Sequence, residues 1–115
     1  MFWKIVLGIL AVLAAGVLYI KLSAVRVPPE DARQLVAAGA LLVDVRTEGE
    51  YGDGGIDGSV NIPIQELAGR LDELGDKDQP IVVYCQSGGR SAMAKRLLEG
   101  NGFTEVHDLG SIRAW

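Results

Sequence analysis

The apolar positions fall into two regimes. From residue 5 to residue 20 no charged residue occurs, and Lys4 and Lys21 bracket the run with Trp3 and Tyr19 near its ends. Residues 2–22 therefore read as a hydrophobic helix of about 20 residues, long enough to cross a bilayer. Beyond it, short apolar runs alternate with stretches at helical spacing. Residues 24–27 read as a strand, and 28–38 as a helix opened by Glu30 and Asp31 and stopped by Gly39. Residues 40–45 form a strand, apolar until Asp44, and 60–62 a shorter one stopped by Pro63. Ile64, Leu67, Leu71 and Leu74 line one face of a helix ending at Gly75. Residues 81–84 are a buried strand, 91–99 a helix with Ser91 at its start and Gly100 at its stop, and 105–109 the last strand. Glycine-rich residues 49–58 read as a surface loop. Strand and helix alternating in this way predict an α/β fold. It is a three-layer domain, with a parallel sheet of about five short strands and helices on both faces. The division is 1–23, a transmembrane anchor, and 24–115, the folded domain.

At 115 residues, less this leader, there is room for one domain of about 90 residues. Lys4 and Lys21 belong to the leader, so nine basic residues face 15 acidic ones in the remainder, a net charge of about −6. Such a domain does not seek nucleic acid. A cleaved secretory signal is the competing reading of the leader. It requires small residues at the third and first positions before the cut; Leu22-Ser23-Ala24 starts with leucine, and Ala14-Ala15-Gly16 lies inside the apolar run. A single-pass N-terminal membrane protein is therefore expected, with lipid contact through residues 2–22. Lys21, Arg26 and Arg33 against Lys4 and the amino terminus slightly favour a cytoplasmic domain.

The chemistry concentrates at Cys85, the single cysteine, which excludes an intramolecular disulfide and any CxxC pair. It ends an apolar strand and precedes a turn, Gln86-Ser87-Gly88-Gly89-Arg90, that leads into a helix. A helix N-terminus directs unpaired N–H groups and positive potential at a nearby anion, and Arg90 adds a fixed charge. Both favour a thiolate at Cys85. In parallel sheets such sites lie at the carboxyl ends of the strands.

Cys85-x-Ser87-Gly88-x-Arg90-Ser91 resembles the active-site loop of rhodanese-type sulfurtransferases. The resemblance extends through Asp44-Val45-Arg46, Glu50-Tyr51, Gly54-x-Ile56-x-Gly58-Ser59-Val60-Asn61-Ile62-Pro63, Leu97-Leu98, Gly102-Phe103, Val106 and Trp115, over roughly residues 25 to 115. Four residues separate Cys85 from Arg90, as in sulfur-transferring members; the related cell-cycle phosphatases place five there. What the resemblance implies is a single-domain sulfurtransferase in which Cys85 is catalytic. Gln86, Ser87, Gly88, Gly89 and Arg90 would bind the substrate, with no metal or organic cofactor. The partners would be a small anionic sulfur donor, such as thiosulfate or a persulfide, and a thiol, protein-cysteine or cyanide acceptor. A redox sensor or anion-binding module using the same loop without turnover is the alternative. Asp44 and Arg46 look structural in the resemblance, with Arg46 and Glu50 a plausible ion pair. His107 reads as a surface residue, and Trp115 as packed on the core. Two positions depart from the pattern: Gly55 replaces a usual histidine, and Ser111 the second of two usual glycines.

Overall fold

The computed structural model describes residues 1–23 and 25–115, with side chains outside 19–24. The helices are α1 (Phe2–Ser23), α2 (Pro29–Ala37), α3 (Glu48–Gly52), α4 (Ile64–Leu67) and α5 (Gly89–Gly100); the strands are β1 (Leu41–Asp44), β2 (Val60–Asn61), β3 (Ile81–Cys85) and β4 (Val106–Ser111). Short 3-10 turns occupy Leu71–Leu74 and Ile112–Ala114.

The strands form one parallel sheet in the order β2-β1-β3-β4. All five residues of β3 are buried, as the continuous apolar run requires of a strand covered on both faces. Successive side chains point to opposite faces. Ile81, Val83 and Cys85 thus pack with Leu67, Leu74, Ala94, Leu98 and Phe103 on one side, while Val82 and Tyr84 pack with Ala32, Leu42 and Leu109 on the other. Each fully buried Leu, Ile or Val contributes about 1.5–3 kcal/mol. Trp115 closes the second layer, with the Arg33 guanidinium 5.7 Å from its ring centroid.

The three layers match the expectation, but among the described residues the sheet has four strands rather than about five. Residues 25–28 form no strand. Val27 N–H donates to the Asp108 carbonyl at 2.8 Å, and Pro28 and Pro29, which lack N–H groups, end the pairing; Ala24 lies outside the described residues. The helix expected along Ile64, Leu67, Leu71 and Leu74 is broken in two. All four side chains still pack on one cluster, but after Gly69 the backbone of Arg70 leaves the helical region (φ −128°, ψ 24°). The periodicity reported burial correctly and continuity incorrectly. The loop over 49–58 overlaps a capped turn, α3, in which Thr47 Oγ1 accepts from Glu50 N–H and Glu50 accepts from Thr47 N–H.

Among the described residues no helix is long and apolar enough to cross a membrane. That overturns the transmembrane anchor, the single-pass localisation with its cytoplasmic side, and the bilayer contact through residues 2–22. The anchoring expected from Tyr19 and Lys21 falls on side chains outside the described residues.

Candidate active site

Cys85 is the last residue of β3, and its side chain points to the face that α5 covers. The chain must then reverse from strand to helix within three residues. Gly88 makes the turn, in the left-handed region at φ 106°, and is the N-cap of α5. A β-carbon there would also run into the Arg26 guanidinium, which lies against both Gly88 and Gly110. Helix α5 consequently begins at Gly89, two residues ahead of the expected start. Ser91 is not its cap but a fully buried residue of the first turn.

This geometry surrounds the sulfur with donors. Gly88 N–H donates to Cys85 Sγ at 2.9 Å, and Ser91 Oγ lies 3.6 Å from it while donating to the Gly88 carbonyl at 3.0 Å. Burial pushes the Cys85 thiol up. The Ser91 hydroxyl and the N–H groups of Ser91, Gly88 and Ser87 outweigh it, so the thiol is held below its ordinary value.

A second ring of charge surrounds the loop. Asp44, fully buried, receives Arg46 Nη2 at 2.7 Å and Nε at 3.0 Å, which raises the Arg46 guanidinium further above its ordinary value. Arg46 continues to the Gln86 side chain at 3.0 Å and the Gly54 carbonyl at 3.0 Å. The expected Arg46–Glu50 pair does not form. Glu50 instead meets Arg90 at two points, 2.7 and 3.0 Å, and this contact holds its carboxyl down at about 2. Ser111, expected only as a departure from a glycine, donates to the Gln86 carbonyl at 2.8 Å and ties the last strand to the cysteine loop. The other departure also has a cause: a β-carbon at Gly55 would stand 2.5 Å from the Tyr51 ring.

The family model of the rhodanese-like domain matches residues 28–115. The chain belongs to the rhodanese-like family. It is 37% identical over 91 residues to the thiosulfate sulfurtransferase GlpE of Pseudomonas syringae pv. syringae, covering 78% of this chain and 85% of that one. It is 40% identical over 77 residues to the uncharacterized protein YqhL of Bacillus subtilis, covering 66% of this chain and 60% of YqhL. The human single-domain sulfurtransferase TSTD1 superposes with a TM-score of 0.73 at 31% identity, over 78% of this chain and 93% of its own. In class this rhodanese is a sulfurtransferase.

The rhodanese loop gathers the expected site residues, though not all in the expected posture. Cys85 and Gly88 are buried, Gln86 is half-buried, and Ser87 and Gly89 are exposed. The Arg90 guanidinium, expected to orient an anionic donor, is engaged by Glu50. Beside the loop opens a cavity of about 400 Å³ lined by Arg46, Glu50, Asp53, Gly54, Gln86 and Ile112. Cys85 has no solvent exposure, so a donor reaches the sulfur only after the loop or the rim side chains shift. Asp53, Ser91 and Ser111 were missed as site residues. For Ser91 the signal was its place one turn into the helix after the cysteine; for Asp53 and Ser111 no local signal exists.

Proposed function

We propose that residues 24–115 move a sulfane sulfur from thiosulfate or a persulfide to a thiol or cyanide acceptor through a persulfide on Cys85. What carries the reading is the Gly88 N–H directed at Sγ from 2.9 Å, at the N-terminus of α5, in a chain of the rhodanese family. In the first half-reaction the Cys85 thiolate attacks the outer sulfur of the donor. The donor's S–S bond breaks, its electron pair leaves with sulfite or a thiolate, and Cys85 retains the outer sulfur. In the second, the acceptor attacks that sulfur and the Cys85 thiolate leaves. The N–H groups of the loop stabilise the anionic terminal sulfur as an oxyanion hole does an oxygen. No general base is needed when the thiolate is already formed.

Incubation with thiosulfate should add the mass of one sulfur atom to the intact protein, and subsequent cyanide should remove it as thiocyanate. Cys85→Ser should lose both signals. Transfer that survives in Cys85→Ser sinks the reading, and stable sulfur loading without thiocyanate release would leave a sensor or binding module in its place.

A further inference from the structure

A third guanidinium reaches the cysteine loop, from ahead of residues 28–115 that the rhodanese model matches. Val27 N–H donates to the Asp108 carbonyl at 2.8 Å, which pins the chain around it to β4 and places Arg26 beside the loop. The Arg26 guanidinium packs on Gly88 and Gly110; a β-carbon on either would stand 2.6 Å from its Nη1. Gly88 is the residue whose N–H donates to Cys85 Sγ at 2.9 Å. A positive charge therefore lies just behind the donor that holds the sulfur.

Beneath that charge is a buried carboxyl. Asp108 pairs in register with Val83, and partners in a parallel ladder share a face of the sheet. Its side chain thus points to the α5 side, as those of Val83 and Cys85 do, and it is buried there. Oδ1 accepts from Gly110 N–H at 2.8 Å, Oδ2 has no hydrogen-bond partner among the described residues, and Arg26 Nε stands 4.0 Å from it. Lys95 of α5 and His107 of β4 line, with Arg26 and Asp108, a cavity of about 350 Å³; His107 is turned to Glu105 at 3.4 Å. Arg46 and Arg90 are already paired with Asp44 and Glu50. A carboxylate on the face that carries the thiolate opposes its ionisation, and Arg26 lies against both the carboxylate and the cysteine loop.

We propose that Arg26 is a positioning residue for the sulfur chemistry: its charge, held against Gly88, offsets the Asp108 carboxylate at Cys85 and keeps the sulfur anionic. The inference rests on the sulfurtransfer reading above for what that anion then does.

The test measures, in the full-length protein, the pH midpoint of Cys85 alkylation by iodoacetamide and kcat/KM with thiosulfate. Arg26 is half-exposed, so Arg26→Gln should raise the midpoint by about half a unit, the scale that solvent leaves to such a charge. That cuts the thiolate about threefold at pH values below the midpoint, and kcat/KM should fall by the same factor. Arg26→Lys, which keeps the charge, should restore most of both. Asp108→Asn should move the midpoint the other way. Combining Arg26→Gln with Asp108→Asn should return it toward that of the unaltered protein, a compensation that a merely structural Arg26 would not show. A midpoint that stays put in folded Arg26→Gln, or a double variant as high as Arg26→Gln alone, overturns the assignment. If Arg26→Gln does not fold, Asp108→Asn decides: a lowered midpoint supports the charge balance, and an unchanged or raised one overturns it. Failure of thiosulfate to place sulfur on Cys85 of the unaltered protein would instead overturn the sulfurtransfer reading, and the alkylation midpoints would still judge Arg26.

Discussion

Replacing Ser91 by alanine tests how the sulfur anion is held. In the thiol form, the Cys85 S–H donates toward Ser91 Oγ at 3.6 Å, and the Ser91 hydroxyl proton goes to the Gly88 carbonyl at 3.0 Å. On ionisation that proton turns to the sulfur, and the Gly88 carbonyl loses it. A hydrogen bond to an ionised group contributes about 1.5–3 kcal/mol, and the neutral one given up about 0.5–1.5 kcal/mol, so the hydroxyl favours the thiolate by about 1 kcal/mol net. One pKa unit corresponds to about 1.36 kcal/mol. Ser91→Ala should therefore raise the Cys85 midpoint by about 0.7 of a unit and slow thiolate alkylation up to about fivefold at pH values below it. The assay is the rate of iodoacetamide alkylation against pH, with Cys85→Ser as the background. Because the sulfur is buried, the midpoint and not the absolute rate carries the information. Ser91 is itself fully buried and alanine is slightly smaller, so thermal unfolding should show a folded variant. A midpoint that stays put or falls in folded Ser91→Ala refutes the argument, and would mean that the backbone N–H groups hold the thiolate without the hydroxyl.

Arg46→Ala should destabilise the domain by about 3–5 kcal/mol in urea denaturation, because it strands the fully buried Asp44 carboxylate; a loss below about 1 kcal/mol would show that the pair is not structural. Gly88→Ala should lower thermal stability, since φ is 106° and Arg26 occupies the space, whereas Gly89→Ala, with open space around it, should be neutral or slightly stabilising; equal effects would refute the assigned turn. Asp108 is buried, its Oδ2 lacks a hydrogen-bond partner, and the Arg26 Nε stands 4.0 Å away; burial pushes its carboxyl above the ordinary 3.8. A raised folded-state pKa contributes stability that is fully present below the unfolded value and lost as pH rises through the folded one. Asp108→Asn should thus raise the thermal midpoint at pH 7, with the gain shrinking toward pH 4, and a gain that grows on acidification would contradict this.

Much of the site was legible along the chain because its parts are local. The apolar run of β3, the turn and the helical spacing of α5 lie within about 20 consecutive residues, and a cysteine at the junction of a buried strand and a helix faces the helix N-terminus by geometry alone. The start of α5 was misplaced because serine is the commoner cap, while the left-handed Gly88 did that work here. Partner choice was not legible. Arg46 had carboxylates at Asp44 and Glu50 within reach along the sequence. It took Asp44, and Glu50 went to Arg90, 40 residues away.

By itself the sequence determined the three-layer α/β architecture, the family and the position of the nucleophile, because strand and helix periodicity and turn chemistry act over a few neighbouring residues. Tertiary structure alone decided which guanidinium meets which carboxylate, and that Ser111 braces the cysteine loop from β4. The Arg90–Glu50 and Ser111–Gln86 contacts join segments 40 and 25 residues apart. They depend on strand order and on the register of β3 against β4, which no local pattern specifies.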